Sequence, residues 1–426
     1  MAPYSCALNR RKEVWEELMS LPLRNVDPVM KVLMVISQFS PMVGGAEKQA
    51  QLLSRTLIEK GIDVSIVTGW WVWGTRRREV IDGIHVYRNF AFWRMFGIPG
   101  LRTLGVLAYM VSLGIFLYIN RNSYDLIHVH QALFPAFVVT LVGNRILNKA
   151  VVVKAASTGV TGDIYLWKQF PMGSLQLRYL LKKMKCLITV SKAGGDEYRA
   201  AGFPESNMRK IPNGVLIPEK GKESYAQGMN VVTISRLSKE KGMDILLKAW
   251  TRVSKEITGA RLSIIGSGPL EGELREISHS MGLDRSVYFI GTVDAVDKYL
   301  ESSDLFVLPS RTEGLSNALL EAMSYGIPCI ATDVGGTPEI FGVEDHGMIP
   351  CGTYWIAGYG IMTRPEDAEG LSNAMLYLMR NERSRQEIGI RARAHVTENY
   401  SIDAIGRRYA ELYRSLVGRN KEIRNY

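Results

Sequence analysis

Short apolar runs recur along the chain with helix-like stretches between them: KVLMVIS at 31–37, VSIVTG at 64–69, DLIHVH at 125–130, AVVVKA at 150–155 and KCLITVS at 185–191. Their alternation with helical segments predicts a parallel sheet joined by crossover helices. The pattern restarts with VVTIS at 231–235, RLSIIG at 261–266, VYFIG at 287–291, LFVLPS at 305–310 and PCIATD at 328–333, which predicts a second sheet. Between the two series lies IPNGVLIPEKGKES at 211–224, rich in Pro, Gly and charge, read as an exposed connection with the domain boundary near Asn213. The expected layout is an arm at 1–30, one Rossmann-like domain at 31–213, a second at 214–398, and a final helix within 399–426 that packs back across the first domain. Two facing doubly wound α/β sheets enclose a cleft, and ligands of such sheets lie beyond the carboxyl ends of the strands.

One segment tests this layout. Residues 103–120, TLGVLAYMVSLGIFLYIN, carry no charge and just reach the length of a membrane-spanning helix. A crossover helix is needed there before DLIHVH, and a span would put the domain halves on opposite sides of the membrane. The segment is therefore expected to be buried in the domain.

Composition supports more than one large core: the 426 residues are 46% apolar and 22% charged. The four cysteines, Cys6, Cys186, Cys329 and Cys351, form no CxxC pair and no zinc-type cluster, which reads as a reducing compartment. The first 30 residues carry Arg10, Arg11 and Lys12 with no long apolar stretch behind them, so they do not read as a secretory signal, and Met30 is a second candidate start.

Charge divides the chain. Residues 1–213 hold 27 Lys/Arg against 14 Asp/Glu, and residues 214–426 hold 25 against 28, so the halves carry +13 and −3. A basic half suits nucleic acid, anionic lipid or acidic glycan. No nucleic-acid module accompanies the charge, so nucleic acid is not an expected partner. Residues 70–102 instead mix Trp70, Trp71, Trp73, Phe92, Trp93 and Phe96 with Arg76, Arg77, Arg78, Arg94 and Arg102, a composition suited to an anionic membrane interface. A second stretch, LQLRYLLKKMK at 175–185, is either a membrane-facing helix or a core helix with a solvated basic face.

Candidate chemistry gathers in strand-to-helix loops. In RTEGLSNALLEAMSYGIPCIATDVGG, from Arg311 to Gly336, a strand ends just before Glu313-Gly314-Leu315 and a helix begins near Ser316. Free backbone N–H groups and the positive end of the helix dipole there suit a pyrophosphate. Glu321 lies about two turns beyond Glu313, so both carboxylates can meet one ligand at different depths. In VVTISRLSKEKGMDILLKAW a strand runs into Arg236 and Lys241, two cations that can neutralise a departing diphosphate. Gly44-Gly45 opens the helix after the first strand and permits close backbone approach, whereas GSGP at 266–269 lacks the spacing of a dinucleotide loop. His128 and His130 share one face of their strand, with His130 nearer the loop. The chain has no Asp-x-Asp, which removes the usual carboxylate pair for a metal-bound nucleotide, so metal-independent chemistry is expected. It also lacks the GxxxxGK[ST], GxSxG and HExxH patterns of NTPases, serine hydrolases and zinc proteases.

Taken together, VGGAEKQ, HVHQ, TVSKAGGDEY, IPNGV, SRLSKEKG, GSGP, SSDLFVLPSRTEGLSNALLEAMSYGIPCIATDVGGTPEI and the closing NYS and YAELY resemble the retaining GT-B glycosyltransferases with an E-x7-E motif, known as family 4 or group 1, over about residues 31–418. The resemblance implies a nucleotide-sugar donor, UDP- or GDP-linked, in the C-terminal domain, with no cofactor and no metal. Arg236 and Lys241 would hold the diphosphate, Glu321 the ribose, and Glu313 the donor sugar. The backbone of Gly314, Leu315 and Ser316 would complete the phosphate cradle, His130 would lie by the sugar, and Gly44-Gly45 would close from the other domain. Retention would follow from front-face substitution, the leaving phosphate helping to remove the acceptor proton. GVEDHGMIPCGTYWIAGYGIMTRPED is longer than the family's usual stretch; it either shapes the acceptor side or is an inert surface loop. With the basic half, these features point to a lipid-linked or envelope-glycan acceptor and an enzyme peripheral to the cytoplasmic membrane face. A sugar-nucleotide epimerase and a non-catalytic sugar-nucleotide sensor are the alternatives.

Overall fold

The computed structural model describes residues 29–42, 44–91, 99–155, 158–159, 162–169, 172–225, 229–345 and 347–424, with the side chains of 99–103 and 419–424 left aside. The arm up to residue 28, together with Phe92, Trp93, Arg94, Phe96 and the side chain of Arg102, lies outside what is described.

The first sheet contains β1 (Lys31–Ile36), β2 (Asp63–Gly69), β3 (Arg78–Ile81), β4 (Ile84–Asn89), β5 (Leu126–His130), β6 (Ala150–Lys154), β7 (Leu187–Thr189) and β8 (Met208–Lys210). Their spatial order is β3-β4-β2-β1-β5-β6-β7-β8, parallel except for the β3/β4 hairpin. The second sheet contains β9 (Asn230–Ile234), β10 (Arg261–Ile265), β11 (Val287–Gly291), β12 (Leu305–Leu308), β13 (Cys329–Thr332), β14 (Tyr354–Ile356) and β15 (Ile361–Thr363). Its order is β11-β10-β9-β12-β13-β15-β14, with only β14/β15 antiparallel. The continuous apolar runs follow from this architecture: Leu33, Val35, Ile127, Val129, Val151 and Val153 fill one core, while Val32, Met34, Ile36, Leu126 and Val152 fill the core on the opposite face.

Six helices carry the argument below: α1 (Gly45–Glu59), α2 (Pro99–Ile119), α3 (Gly173–Lys183), α4 (Met243–Glu256), α5 (Asn317–Ser324) and α6 (Ile402–Arg424). Although α6 follows the second sheet in sequence, Ile405, Tyr409 and Tyr413 belong to the core of Val32 and Met34 in the first. The two segments crossing between the sheets pair with each other: Val215 N donates to Tyr400 O at 2.9 Å, and Ile402 N donates to Val215 O at 2.8 Å.

Helix α2 departs from the expectation of burial. Val106, Tyr109, Leu113 and Leu117 face the core, but Leu104, Leu107, Val111, Ile115 and Tyr118 are about half exposed. A crossover helix needs one apolar face to cover a sheet, and this helix has two. No helix among the described residues is long and apolar enough to cross a membrane. On α3, Leu177 and Leu180 are buried while Arg178, Lys182 and Lys183 are exposed, as on a core helix with a solvated basic face. The long segment GVEDHGMIPCGTYWIAGYGIMTRPED includes edge strand β14, where Tyr354 lies against Tyr377 in a tilted pair at 5.5 Å, and Tyr359 beyond it stacks on His395 at 3.8 Å.

Candidate active site

The carboxyl end of β12 leads into a buried ionic cluster. Glu313 is only 8% exposed, and its Oε1 accepts from Lys241 Nζ at 2.7 Å and from Ser310 Oγ at 2.7 Å. The two loops meet because Gly242 adopts a left-handed φ of 64°, and a side chain there would bring its Cβ to 2.0 Å from Pro309 O. Arg311 clamps the arrangement. Its amide donates to Glu240 O at 2.8 Å, and its guanidinium donates to Lys239 O at 2.6 Å and to both carboxylate oxygens of Asp244, in the first turn of α4, at 2.8 Å. Hydrogen bonding from Arg311 holds the Asp244 carboxyl below its usual range despite partial burial.

Behind Glu313, Gly335 has φ of 56° and no room for a side chain, because its Cβ would lie 1.8 Å from Glu313 O. Gly336 N donates to Gly314 O at 3.0 Å. The amides of Gly314, Leu315 and Ser316 donate to no acceptor among the described residues, while Ser316 Oγ caps α5 by accepting from Leu319 N at 3.3 Å. Glu321, along α5, is raised above the usual carboxylate range by burial, with Lys48 of α1 opposing that rise and Asp297 adding to it.

The GSGP loop turns out to be a backbone support. A Cβ on Gly266 would lie 1.9 Å from Ser235 O, and one on Gly268 would lie 2.2 Å from Leu237 O. Leu237 N donates to Ser267 O at 2.9 Å, so these glycines let the loop press against both sides of Arg236. The Arg236 side chain is exposed and forms no ion pair among the described residues.

The first sheet supplies the opposite wall. Thr158 Oγ1, in the loop after β6, donates to Glu313 O at 2.7 Å. Asn317 Nδ2 donates to Gly45 O at 3.1 Å, and Asn213 Nδ2 donates to Asn317 Oδ1 at 2.8 Å, which ties the Gly44-Gly45 turn to the start of α5. His130 ends β5 in register with Lys154 and is 2% exposed. Its ring lies 4.3 Å from that of His128, whose Nδ1 shares a 2.6 Å hydrogen bond with Tyr413 OH. Burial first, then His128 and Lys154, depress the His130 pKa well below the ordinary value, so its ring is neutral near pH 7.

Glu313 and Lys241 are thus brought into contact, Gly45 reaches the α5 loop, and Arg236 stands beside them. No hydrogen bond or ion pair among the described residues links His130 to Glu313 or Lys241. Sequence reasoning passed over Ser310, Arg311, Thr158, Asn317, Gly335 and Lys154. Only the last left a readable signal, a lone cation inside the apolar run AVVVKA. Among the described residues, no group of three His, Cys, Asp or Glu side chains is arranged to hold a metal ion.

Comparison with known proteins gives the site its context. Residues 43–216 match the model of Glycosyltransferase Family 4, and residues 228–381 match that of Glycosyl transferases group 1. The chain is 23% identical over 394 residues to the N-acetyl-alpha-D-glucosaminyl L-malate synthase of Bacillus anthracis, covering 89% of this chain and 96% of that one. It is 27% identical over 271 residues to a GDP-mannose-dependent monoacylated alpha-(1-6)-phosphatidylinositol monomannoside mannosyltransferase of Corynebacterium glutamicum, covering 58% of this chain and 67% of that one. Its fold matches that of Anabaena HepE in complex with UDP and glucose with a TM-score of 0.69 at 20% identity, covering 91% of this chain and 100% of the other. With both halves matched by family models and two facing parallel-dominated sheets, the chain belongs to the family 4, group 1 glycosyltransferases of GT-B fold.

Proposed function

We propose that this glycosyltransferase moves a sugar from a UDP- or GDP-sugar to a lipid-linked or envelope-glycan acceptor, with retention of anomeric configuration and without a metal. The observation that carries the reading is the Lys241–Glu313–Ser310 cluster at a strand end, beside the exposed cation of Arg236 and the open amides of 314–316. Arg236 and Lys241 would neutralise the donor diphosphate, which gains charge as the bond from C1 to the phosphate oxygen breaks. Glu313 would accept from the donor sugar hydroxyls, Glu321 from the ribose, and neutral His130 would hydrogen-bond the sugar from the opposite wall. The acceptor hydroxyl would attack C1 from the face the phosphate leaves and pass its proton to the departing phosphate oxygen, so no protein nucleophile is required.

The outer face of α2 supports a membrane-bound acceptor. Leu104, Leu107, Val111, Ile115 and Tyr118 form an apolar row along a helix without charge between Leu104 and Asn120, and Arg121 stacks over Tyr118 at 5.0 Å. That row, in the half carrying +13, suits the interface of an anionic bilayer. The described part of the 70–102 stretch adds Trp73, 77% exposed, and the exposed Arg76, Arg77 and Arg78 to that surface, whereas Trp71 packs on Tyr109 and donates to Ser37 O. The enzyme would then work from the cytoplasmic face.

A donor panel tests the reading. The protein is incubated with UDP-, GDP- and ADP-sugars plus a membrane-lipid extract, and nucleoside diphosphate and labelled lipid are followed. Product from one donor, lost in Glu313→Ala and Lys241→Ala, is the expected result. Binding without turnover would favour the sensor alternative, and conversion of the donor without acceptor would favour an epimerase.

A further inference from the structure

Lys154, the last residue of β6, is 5% exposed, and no described carboxylate pairs with it. Its ammonium lies 5.8 Å from the ring centroid of Tyr409. Its strand neighbour is His130, with His128 two residues earlier on the same face. His130 Nε2, His128 Nε2 and Tyr409 OH are all buried without a hydrogen-bond partner, whereas Tyr413 OH is already engaged by His128 Nδ1. Three orphaned polar atoms around an unpaired cation are an expensive arrangement for a core, since a buried charge without a counter-ion loses its hydration and gains no partner. Such local violations concentrate where a ligand completes them.

The position fits a ligand. Lys154 O accepts from Gln131 N at 3.1 Å, which marks the carboxyl edge of the sheet, and the loop that follows carries Thr158 to Glu313 O. We propose that Lys154 Nζ and His130 Nε2 seat a carboxylate or phosphate carried by one of the two substrates, apart from the donor diphosphate. This rests on reading the cleft as the transfer site. The diphosphate has its own cations, Arg236 and Lys241, on the other half. The second anion therefore belongs either to an acidic sugar being transferred or to an acidic acceptor.

The test uses the full chain labelled with 15N at histidine, first saturated with whichever of UDP or GDP binds, then titrated with inorganic phosphate and, separately, malonate. The His130 signals, assigned by their loss in His130→Asn, are expected to move saturably with at least one anion. In Lys154→Met the midpoint should rise by roughly tenfold or more, and in Lys154→Arg it should stay within about threefold of wild type. Signals that ignore both anions, or that titrate alike in wild type and Lys154→Met, overturn the proposal. Thermal unfolding separates a mere fold support: Lys154→Met should melt at or above wild type, and a clear drop in its Tm overturns the proposal. Nucleotide affinity should be the same in all variants. Failure of UDP, GDP and ADP to bind would sink the transferase reading, while the anion titration on the unliganded protein would still report on Lys154. Once a donor turns over, a Lys154→Met rise in donor KM assigns the anion to the sugar, a rise in acceptor KM assigns it to the acceptor, and no rise in either overturns the proposal.

Discussion

The carboxyl ends of the two sheets differ in how complete they are. In the second, the ionic cluster at Glu313 is paired within itself: Lys241 pairs with Glu313, and Arg311 with Asp244 and Glu366, while Arg236 and Glu321 have no ion pair among the described residues. Glycines at 242, 266, 268 and 335 let backbone approach backbone where any Cβ would collide. In the first, Lys154 is as deeply buried without a counter-charge among the described residues, and beside it His130 Nε2, His128 Nε2 and Tyr409 OH lack hydrogen-bond partners. The contrast separates a preorganised anion site, in which the protein has already oriented its dipoles and charges, from one whose electrostatics are completed by what binds.

The largest effect expected from breaking this contrast is on the built half. Glu313→Gln removes the counter-charge of Lys241 while leaving an amide oxygen that can accept from Ser310, and should lower kcat by about 10²–10³-fold with the melting temperature little changed; a steady-state assay beside a melting curve checks it.

Lys154→Met probes the unmatched half through pH. Burial lowers the Lys154 pKa from 10.5 to about 8, so below pH 8 both folded and unfolded states hold the proton and the folded state bears the full penalty. As pH rises from 8 towards 10.5 the unfolded state binds more protons, and wild type gains stability that the variant, lacking the group, does not. The variant should therefore exceed wild type by up to roughly 3 kcal/mol at pH 7, with the gap closing across that window. Denaturant melts at pH 7 and pH 10 measure it, and a constant gap would contradict the assignment.

Smaller effects sharpen the comparison at its edges. The double substitution Val111→Ser/Ile115→Ser on the outer face of α2 should reduce partition onto anionic liposomes roughly tenfold, read by sedimentation, with activity on a soluble acceptor analogue preserved. Ser316→Ala removes the cap of α5 and should cost about 1 kcal/mol in chemical denaturation.

Much of the fold was legible because parallel strands covered on both faces are predominantly apolar, so β1, β5, β6, β9, β10, β12 and β13 appear as short, mainly apolar runs. Much of the donor loop was legible for a similar reason: Glu313, Glu321, Arg236 and Lys241 stand at the ends of such runs, where a doubly wound sheet exposes its loops. The GSGP loop was read only for what it is not, since glycine spacing does not reveal which backbone a glycine must admit. Helix α2 was taken as buried because hydropathy counts apolar residues without saying how many faces a neighbour will cover.

The sequence by itself determined the two series of strands, the break between them and the chemistry of the loops at their ends, because those depend on local periodicity and on residue types a few positions apart. Only the tertiary structure decided that Lys241 meets Glu313 across 72 positions, that Thr158 bonds to the Glu313 carbonyl across 155, and that Lys154 lies buried beside two histidines and a tyrosine without a counter-charge. Those contacts are set by how strands and helices far apart in sequence pack together, and pattern along the chain carries no record of distance across it.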